Sequence, residues 1–487
     1  MNASVEREVK LEPAPEFDLG SLHGSGALDR YALSRPTLER LHTIYYDTAD
    51  LRLARLGFNL RYRWGDEGWT LKVPMSRDEM GATRQELRFD GEPGTPPAAA
   101  VALIRGIVRH REIVPVVELR TLRRHATVEG VAEIDCDDVS VVRSGRVVAN
   151  FRQTEIEALE SADEASFDDV VDRLRSLGAG KPAWEPKLER ALGITTEPPT
   201  TLGDDEPACA LVTLALDLRL ADLLRNDFLI RLRAEAEDVH KARSSVRKLR
   251  AILRGFRSFL DRAWADTLRE ELRWLAGELG NVRDIDVALN QLHSRAASVP
   301  TADAPFVEKT LEPLRDARAE GLKRLRVSLE GERYLALIDA VEKASHEPQF
   351  GESPPRTAGE LARGTLKKAS NRVRKAVRRA RGSVALNELH HARIQVRNGR
   401  YAAEACASVV GKRAKQLAKR LSRMQDILGA IHDAAFVQDR LRATVGEART
   451  PLVAGELLAL EAVEGEKARD VWKSVRRRAL KADWTEV

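Results

Sequence analysis

Apolar and polar residues alternate with a period of two along the first part of the chain. The alternation is clearest over residues 5–11, 41–47, 58–64, 69–73, 83–89, 116–122, 131–139 and 147–159. Such runs place successive side chains on opposite faces of an extended strand. Glycine-rich segments at 65–68 and 91–94 supply turns between some of them. The pattern predicts a mainly antiparallel β domain with some helix.

The pattern changes after a segment rich in proline, threonine and acidic residues at positions 193–208. Beyond it, long segments of alanine, leucine and arginine repeat with the 3.6-residue period of an amphipathic helix. We therefore predict an α+β chain with three parts. These are a β domain over residues 1–195, a linker over 196–208 and an all-α domain over 209–487.

The helical part contains an internal repeat. Residues 240–250 and 390–400 both read HxARxxVRxxR, and about forty residues later LGNVRD at 279–284 is echoed by LGAIHD at 428–433. Several identities at fixed offsets indicate a duplicated unit. We predict two pseudo-symmetric helical halves, with residues 351–356 between them.

Composition and charge narrow the functional classes. The net charge is +5, but residues 1–200 carry 27 Lys and Arg against 34 Asp and Glu, and the remainder carries 53 against 41. A basic C-terminal part suggests an anionic partner. No run of about 18 apolar residues is present, which argues against a membrane span. The charged N-terminus and three widely spaced cysteines predict a cytoplasmic, reducing location.

Several predicted strands group charged residues of one kind on one face. The groups are Glu6, Glu8 and Lys10; Arg61 and Arg63; Lys72; and Glu155 and Glu157. A solvated sheet face would explain any single strand, whereas a closed barrel with these faces inward would line a channel with both signs. Carboxylates two residues apart supply oxygen ligands for Mg²⁺ or Mn²⁺. Arginine and lysine supply donors for phosphate oxygens.

These motifs, in this order, resemble the CYTH (triphosphate tunnel metalloenzyme) family. The match runs from ExExK at 6–10 through Tyr45-Tyr46-Asp47-Thr48, RxR at 61–63 and Lys72 to ExE at 155–157. The resemblance implies an eight-stranded antiparallel tunnel that binds a linear triphosphate and a divalent metal. It also implies one of several activities: hydrolysis of inorganic or thiamine triphosphate, cyclisation of ATP, or removal of an RNA 5′ γ-phosphate.

The family's functional residues transfer to matching positions of this chain. The resemblance implies metal binding by Glu6, Glu8, Glu155 and Glu157, and a catalytic set of Glu6, Glu8, Lys10 and Lys72. It implies substrate binding by Arg61, Arg63, Arg84, Arg120 and Lys187, with Glu86 on the same strand as Arg84. Glu133 and Asp137 fall on plausible inward positions. The register near Arg120 leaves Arg123 as an alternative.

Each repeat of the helical part carries a stripe of basic residues. At 100° per residue, offsets of 0, 3, 7 and 10 fall on one helix face. The stripes are His240, Arg243, Arg247 and Arg250, and His390, Arg393, Arg397 and Arg400. A solvated basic face would explain one stripe, but its duplication favours a binding surface.

The repeats resemble a CHAD domain, named for its conserved histidines in an α-helical fold. The resemblance implies two helical-bundle halves and a basic face, formed by the two stripes, that binds inorganic polyphosphate. Asn398 and Gly399 depart from the first repeat, and a glycine inside a helix costs about 1 kcal/mol relative to alanine. His391 competes with His390 for the ligand-facing position.

The sequence therefore predicts a metal-dependent triphosphatase that hydrolyses inorganic triphosphate or short polyphosphate and is tethered to long polyphosphate. Association with polyphosphate granules would follow. The alternatives are a non-catalytic polyphosphate-binding adaptor, or a thiamine triphosphatase or adenylate cyclase activity. Nucleic acid is disfavoured as a partner, because aromatic residues make up only 5% of the chain and do not interleave with the stripes to form stacking platforms.

Overall fold

The computed structural model describes residues 2–65, 68–77, 82–183, 185–195, 201–299, 303–352, 355–380, 386–443 and 450–481. The chain forms two compact units, Met1–Glu197 and Pro198–Val487. Of the predicted linker, residues 196–200 lie outside the described residues. The same holds for residues 66 and 67 of the first predicted turn, and for residues 353 and 354 between the helical repeats.

Eight strands close into an antiparallel barrel in the N-terminal unit. They are β1 (Asn2–Glu12), β2 (Thr37–Thr48), β3 (Asn59–Trp64), β4 (Trp69–Arg77), β5 (Ala82–Phe89), β6 (Ile113–Val128), β7 (Ala132–Arg143) and β8 (Arg146–Ala158). Their order is β5-β4-β3-β2-β6-β7-β8-β1, and pairing of β1 with β5 closes the ring. A two-residue strand, β9 (Lys181–Pro182), adds to β1. The predicted eight-stranded antiparallel tunnel is confirmed.

Short helices flank the barrel. They are α1 (Arg52–Arg55), α2 (Ala98–Leu103), α3 (Arg105–Val108), α4 (Glu164–Leu174) and α5 (Lys187–Leu192), with a 3₁₀ turn at Leu19–Leu22 and a π turn at Arg175–Ala179. Phe167 and Val171 of α4 pack in one core with Val9, Leu11 and Ile134 from the outward faces of β1 and β7. Burial of these apolar residues under α4 leaves the alternate, charged residues of β1 on the inner face.

A second apolar core fills one end of the barrel. Tyr45, Leu119 and Val139, which lie on the inner faces of β2, β6 and β7, pack with Leu188 of α5 and with Ala54 of α1. Helix α5 thus covers this end and carries its first residue, Lys187, to the boundary between the apolar core and the charged interior.

Asp47 organises the connection between β2 and β3. Its carboxylate accepts hydrogen bonds from the backbone N–H groups of Thr48 (2.7 Å), Leu53 (2.9 Å) and Ala54 (2.9 Å). Leu51, the residue immediately before α1, has a positive φ of 58°. Residues other than glycine adopt this conformation at a cost in free energy. The Tyr-Tyr-Asp-Thr motif therefore stabilises a turn at the end of the barrel that α5 covers.

The C-terminal unit is all-helical, as predicted. Its helices are α6 (Ala208–Leu232), α7 (Ala236–Phe256), α8 (Arg262–Ala296), α9 (Ala304–Glu330), α10 (Glu332–His346), α11 (Ala358–Arg379), α12 (Leu386–Ala405), α13 (Ala407–Val410), α14 (Lys412–Ala443) and α15 (Thr450–Lys481). One apolar core joins both halves, with Leu289 of α8 and Leu311 of α9 packed among Val437 of α14 and Leu457 of α15. No helix in the described part of the chain is long and apolar enough to cross a membrane.

The two HxARxxVRxxR repeats lie on α7 and α12, which pack against each other. Residues 240–250 and 390–400 have the same degree of exposure at every matched position, with His240 and His390 exposed and the arginines half-buried. Gly399 lies where α12 approaches its neighbours most closely. A Cβ there would come within 2.7 Å of Val373 and 3.3 Å of Leu421, so the helix propensity lost at this glycine is offset by close packing with α11 and α14.

Candidate functional site

The inner wall of the barrel carries two groups of linked ion pairs. In the first, Lys72 Nζ of β4 donates to Glu6 (2.6 Å) and contacts Glu86 (2.8 Å). The second begins at Glu8. On β1, Glu8 is paired with Arg84 (2.9 Å) and with Lys10 (2.6 Å). The interior is thus built from alternating charges contributed by β1, β4 and β5.

The second group of ion pairs continues across β8, β7 and β6. Lys10 Nζ donates to Glu155 at 2.5 Å, and Lys187 from α5 contacts both Glu155 and Asp137. Arg123 then donates two hydrogen bonds to Asp137, at 2.9 and 2.8 Å. Seven elements of the unit therefore contribute to these buried ion pairs, and within each group a change at one strand alters the partners of the next.

Glu157 differs from the other inner carboxylates. It lies directly across from Glu8 on β1 and from Glu133 on β7, and no ion pair of Glu157 occurs within the described residues. Burial, followed by the charges of Glu6 and Glu8, raises its pKa to about 7. By contrast, burial would raise the pKa of Glu8, but Lys10 and Arg84 outweigh it and hold the pKa below its usual value.

The oxygen donors on this wall fit a divalent cation. Glu6, Glu8, Glu133 and Glu157 face the same part of the interior, and the raised pKa of Glu157 reflects acidic charge that a cation would offset. In the arrangement described, no three acidic, histidine or cysteine side chains among the described residues are close enough to hold a metal ion. The predicted ligands Glu6, Glu8 and Glu155 are instead held by lysines. Metal binding would therefore require these carboxylates to exchange partners.

The predicted phosphate-binding arginines of β3 and β5 also face inward. Arg63 Nε donates to Thr43 Oγ1 at 3.1 Å, and Arg61 pairs across the sheet with Tyr45 on the same inner face. Arg61 is near enough to Lys72 to oppose its charge and to Glu86 to lower the pKa of that carboxyl, which burial alone would raise. The basic side chains therefore concentrate on the wall formed by β3, β4 and β5.

Arg120 requires a correction. It lies on the outer face of β6, where its side chain is 62% exposed and donates to Glu118 at 3.0 Å. The inward residue is Arg123, with a side chain 14% exposed and bound to Asp135 and Asp137. The sequence could not decide between them, because Arg120, Arg123 and Arg124 place arginine on both faces of the strand.

Asp135 was missed by the sequence analysis. It contacts Arg123 at 2.5 Å and His125 at 2.9 Å, and it pairs across the sheet with Glu155. The signal was present, because Glu133, Asp135 and Asp137 alternate along β7 and share one face.

The two basic stripes of the helical unit face each other. Burial lowers the pKa values of Arg393 and Arg397, and the charge of Arg243 from the opposite helix lowers both further. Such depressed values show arginines gathered closely with incomplete compensation. The packing of α7 against α12, which the sequence did not predict, thus brings Arg243, Arg393 and Arg397 close to one another.

The echoed LG-x-x-x-D segments hold one arginine of each stripe. Arg243 Nη1 donates to Asp284 at 2.7 Å, and Arg393 lies 3.6 Å from Asp433. A Cβ on Gly280 would come within 3.1 Å of the Arg243 guanidinium. The glycine of the first echo therefore leaves room for Arg243 to reach Asp284, whereas a Cβ on Gly429 of the second echo would meet nothing within 4 Å.

The histidines of the stripes differ in their surroundings. His390 lies 5.5 Å from His432, ring centre to ring centre, and both line a cavity of about 260 Å³ together with Arg393. At the position that matches His432, the first half has Arg283. Burial lowers the pKa of His240, and Arg283 lowers it further. Burial also lowers the pKa of His390, and the charge of His432 lowers it further. His391 is exposed and does not line the cavity.

Comparison with known proteins matches each unit to a family. A model of the CYTH domain matches residues 4–183, and a model of the CHAD domain matches residues 214–442. Two curated relatives are described as uncharacterized proteins of Mycobacterium tuberculosis, from strains CDC 1551 and H37Rv. Each is 29% identical over 512 aligned residues, covering 98% of this chain and 97% of the relative.

Three solved structures are similar to parts of the chain. PptA from Streptomyces chartreusis is 21% identical with a TM-score of 0.46, covering 56% of this chain and all of its own. The CHAD domain from the plant Ricinus communis is 22% identical with a TM-score of 0.45, covering 57% of this chain and 94% of its own. HpAC1 from Hippeastrum, described as having a dominant triphosphatase activity, is 15% identical with a TM-score of 0.25, covering 39% of this chain and 97% of its own.

Proposed function

The chain carries a CYTH domain followed by a CHAD domain, and from this premise we propose that it hydrolyses inorganic triphosphate or short polyphosphate while its helical domain holds polyphosphate. The CYTH family includes triphosphatases and adenylate cyclase-like enzymes, and it generally uses divalent metal ions. The observation that carries the proposal is the buried set of alternating charges, beside which Glu157 forms no ion pair with any of the described residues.

The lysines of these buried ion pairs suit phosphate binding because they remain charged. Burial would lower the pKa of Lys72, yet Glu6 and Glu86 raise it above its ordinary value. The same balance, with Asp137 and Glu155, raises the pKa of Lys187. A linear triphosphate entering the barrel would take over these ammonium groups and the nearby guanidinium groups of Arg61 and Arg63 through charge-assisted hydrogen bonds.

The carboxylates released in that exchange would become available to a cation. A bound Mg²⁺ or Mn²⁺ would neutralise charge on the phosphate oxygens. Glu6, Glu8 and Glu157 are the side chains we propose to hold it, together with Glu155 if Lys10 and Lys187 move to phosphate. Purely anion-binding surfaces gain nothing from buried carboxylates, and this supports an enzyme over an adaptor.

The helical domain would raise the local concentration of substrate. Its two stripes form one basic surface, and a phosphate chain bound there would be presented repeatedly to a site on the same polypeptide. We propose that His240, Arg243, Arg247 and Arg250, and the matching residues of α12, bind the polyphosphate.

The deciding experiment measures phosphate release from inorganic triphosphate, short polyphosphate, ATP and thiamine triphosphate, each with Mg²⁺ and with Mn²⁺. The proposal expects turnover of the two inorganic substrates and loss of turnover with a chelator. Binding of triphosphate without release under every metal would instead identify an adaptor. Faster turnover of thiamine triphosphate, or formation of cyclic AMP from ATP, would reject the proposed substrate.

A further inference from the structure

The basic stripe of α7 continues beyond the repeat. Arg254 follows Arg250 by four residues, and therefore lies on the same helix face one turn further along. Helix α7 packs against α8, which carries Arg269 and Arg273 four residues apart, and against α11, which carries Arg372. We call five of these residues the arginine cluster: Arg250, Arg254, Arg269, Arg273 and Arg372.

The arginine cluster has unsatisfied donors. Arg250 Nε and Arg269 Nε are buried and have no hydrogen-bond partner within the described residues. Burial lowers the pKa of Arg250, and the charges of Arg269 and Arg273 lower it further. Arg254 shows the same effect, with Arg372 and Arg269 as the charged neighbours after burial. Half-buried guanidinium groups that face one another cost free energy unless an anion compensates them.

The carboxylates nearest the cluster are already engaged. Asp266 accepts hydrogen bonds from Arg257 Nε at 2.9 Å and from Arg269 at 2.5 Å. Glu270 pairs with Arg273 at 2.5 Å, between two exposed side chains. Lys368 of α11 adds a further cation where α7 ends, and its Nζ donates to Ser258 at 2.7 Å. Within the described part of these helices, no carboxylate forms an ion pair with Arg250 or Arg254, and the charge of Glu270 offsets only part of the effect of burial and of Arg269 and Arg273 on Arg250.

The second repeat ends differently. The residue that matches Arg254 is Glu404, at the same offset that relates His240 to His390. Glu404 accepts a hydrogen bond from Arg400 at 2.7 Å and lies 3.1 Å from Lys248. The stripe of α12 is thus closed by a carboxylate of the protein, whereas that of α7 leaves its last charges for a ligand.

We propose that the arginine cluster is a phosphate subsite that extends the polyphosphate surface in one direction, from α7 onto α8 and α11. The inference rests on the proposed polyphosphate binding. It adds that the binding surface extends further at the α7 end than at the α12 end. From His240 to Arg254 the stripe spans fourteen residues of helix, roughly 21 Å at 1.5 Å per residue. Long chains reach the cluster while the other arginines of the stripe are occupied, and chains too short to span the stripe do not.

The test compares Arg254→Glu and Arg372→Glu with Arg326→Glu in the full-length protein. Arg326 is exposed on α9 and is not part of the arginine cluster, so its reversal gives the same change in net charge outside the cluster. Affinity for polyphosphate of about one hundred units is measured across a salt series, with thermal unfolding as the check on folding. We expect each cluster variant to weaken binding on the order of tenfold and to reduce the slope of log affinity against log salt by about one. The control should change neither quantity comparably.

Three outcomes separate the two proposals. If wild type binds no polyphosphate, polyphosphate binding by the helical domain is rejected together with the subsite. If wild type binds and both cluster variants match Arg326→Glu, the subsite alone is rejected. If the cluster variants weaken the binding of single-stranded RNA more than the binding of polyphosphate of equal charge, the cluster is a nucleic-acid surface and the inference fails. Arg372 is exposed on α11, so this variant keeps the test valid if Arg254→Glu does not fold.

Discussion

Arg243 reaches from α7 to Asp284 of α8, with Nη1 and Oδ1 2.7 Å apart. The matched pair in the other half, Arg393 and Asp433, is looser at 3.6 Å. An arginine held by an aspartate keeps its orientation when no ligand is present. The arginines one turn further along, Arg247 and Arg397, have no such partner among the ion pairs described, and we expect them to respond most to ligand.

Reversing the charge of Arg247 and Arg397 together should remove most of the affinity for long polyphosphate, because both lie at the centre of the shared surface. Equilibrium binding of the double glutamate variant at low salt measures the loss. Arg318 is unsuitable as a control, since its Nε lies 2.5 Å from the buried Asp286 and its reversal would disturb folding. Arg326→Glu, on the exposed face of α9, is the control for each single reversal, since each of these variants changes the net charge by the same amount. Equal losses of affinity from the stripe variants and from the control would show that the helical domain is merely basic and that the stripes are not a binding site.

Polyphosphate affinity should increase as the pH falls below about 6.5. Burial and neighbouring cations lower the pKa values of His240 and His390, so both rings are neutral at pH 7 and gain charge only in more acidic solution. The groups that face them are Arg283, Glu237, Arg243 and Lys241 for His240, and His432, Arg393 and His391 for His390. A phosphate chain favours the protonated ring and shifts binding in this direction.

Titration of affinity between about pH 5 and about pH 8 at constant ionic strength measures this effect. The double variant His240→Gln, His390→Gln should flatten the profile. His346→Gln, at the end of α10, should leave it unchanged. An unaltered slope in the double variant would exclude these histidines as the titrating groups.

Glu157→Gln should abolish metal-dependent hydrolysis and raise the thermal stability of the protein by a few degrees. The substitution removes a carboxylate that burial and the charges of Glu6 and Glu8 destabilise, and it breaks no ion pair described for this residue. Glu118→Gln is the control, since Glu118 lies on the outer face and accepts from His42 at 2.9 Å. Phosphate release and calorimetry report the two effects. Activity within a few-fold of wild type would remove Glu157 from the metal site.

We expect Glu6→Gln and Glu8→Gln to abolish hydrolysis as well, with a clear loss of stability at Glu8, where basic neighbours hold the pKa below its usual value, and a smaller change at Glu6, where burial outweighs Lys72 and raises the pKa. Each of these substitutions leaves a buried lysine or arginine with a weaker partner, because Glu6 pairs with Lys72 and Glu8 with Lys10 and Arg84. Opposite stability changes at Glu157 and Glu8 would therefore distinguish the two carboxylates. Glu157 has no basic partner among the described residues, whereas Glu8 is already paired with Lys10 and Arg84.

Arg61→Ala and Arg63→Ala should each weaken triphosphate binding by roughly 1.5–3 kcal/mol, the range for a hydrogen bond to a charged group. Isothermal titration with Ca²⁺, which we expect to support binding without turnover, measures the loss. Arg120→Ala on the outer face is the control and should bind normally. A large loss in Arg120→Ala, with none in Arg61→Ala, would reverse the assignment of the faces.

Several strands of the barrel could be predicted because they have one apolar and one charged face. Glu6, Glu8 and Lys10 alternate with Val9 and Leu11, and the structure places the first set inside and the second under α4. Arg120 and Arg123 could not be separated in the same way. Arginines occur there at both parities, and the register depends on a bulge where Tyr45 pairs with Val117 but Tyr46 pairs with Pro115, which no local pattern records.

The repeats predicted which helix faces would carry charge, but not their neighbours. The convergence of Arg243 with Arg397 depends on the packing of α7 against α12, and the difference between Arg254 and Glu404 gains meaning only once their partners are known. The reason for Gly399 also lies in packing, because its cost in helix propensity is visible in the sequence and the close approach of Val373 is not.

The hydrogen-bonded ring of the barrel determines how a ligand can enter it. Since β1 pairs with β8 on one side and β5 on the other, the described wall offers no strand edge along which a phosphate chain could be laid sideways. At one end the interior is filled by apolar side chains beneath α5. If the proposed hydrolysis takes place in this barrel, a phosphate chain would have to enter terminus first from the opposite mouth, and we expect a cyclic phosphate of the same charge, which has no terminus, to be a poor substrate.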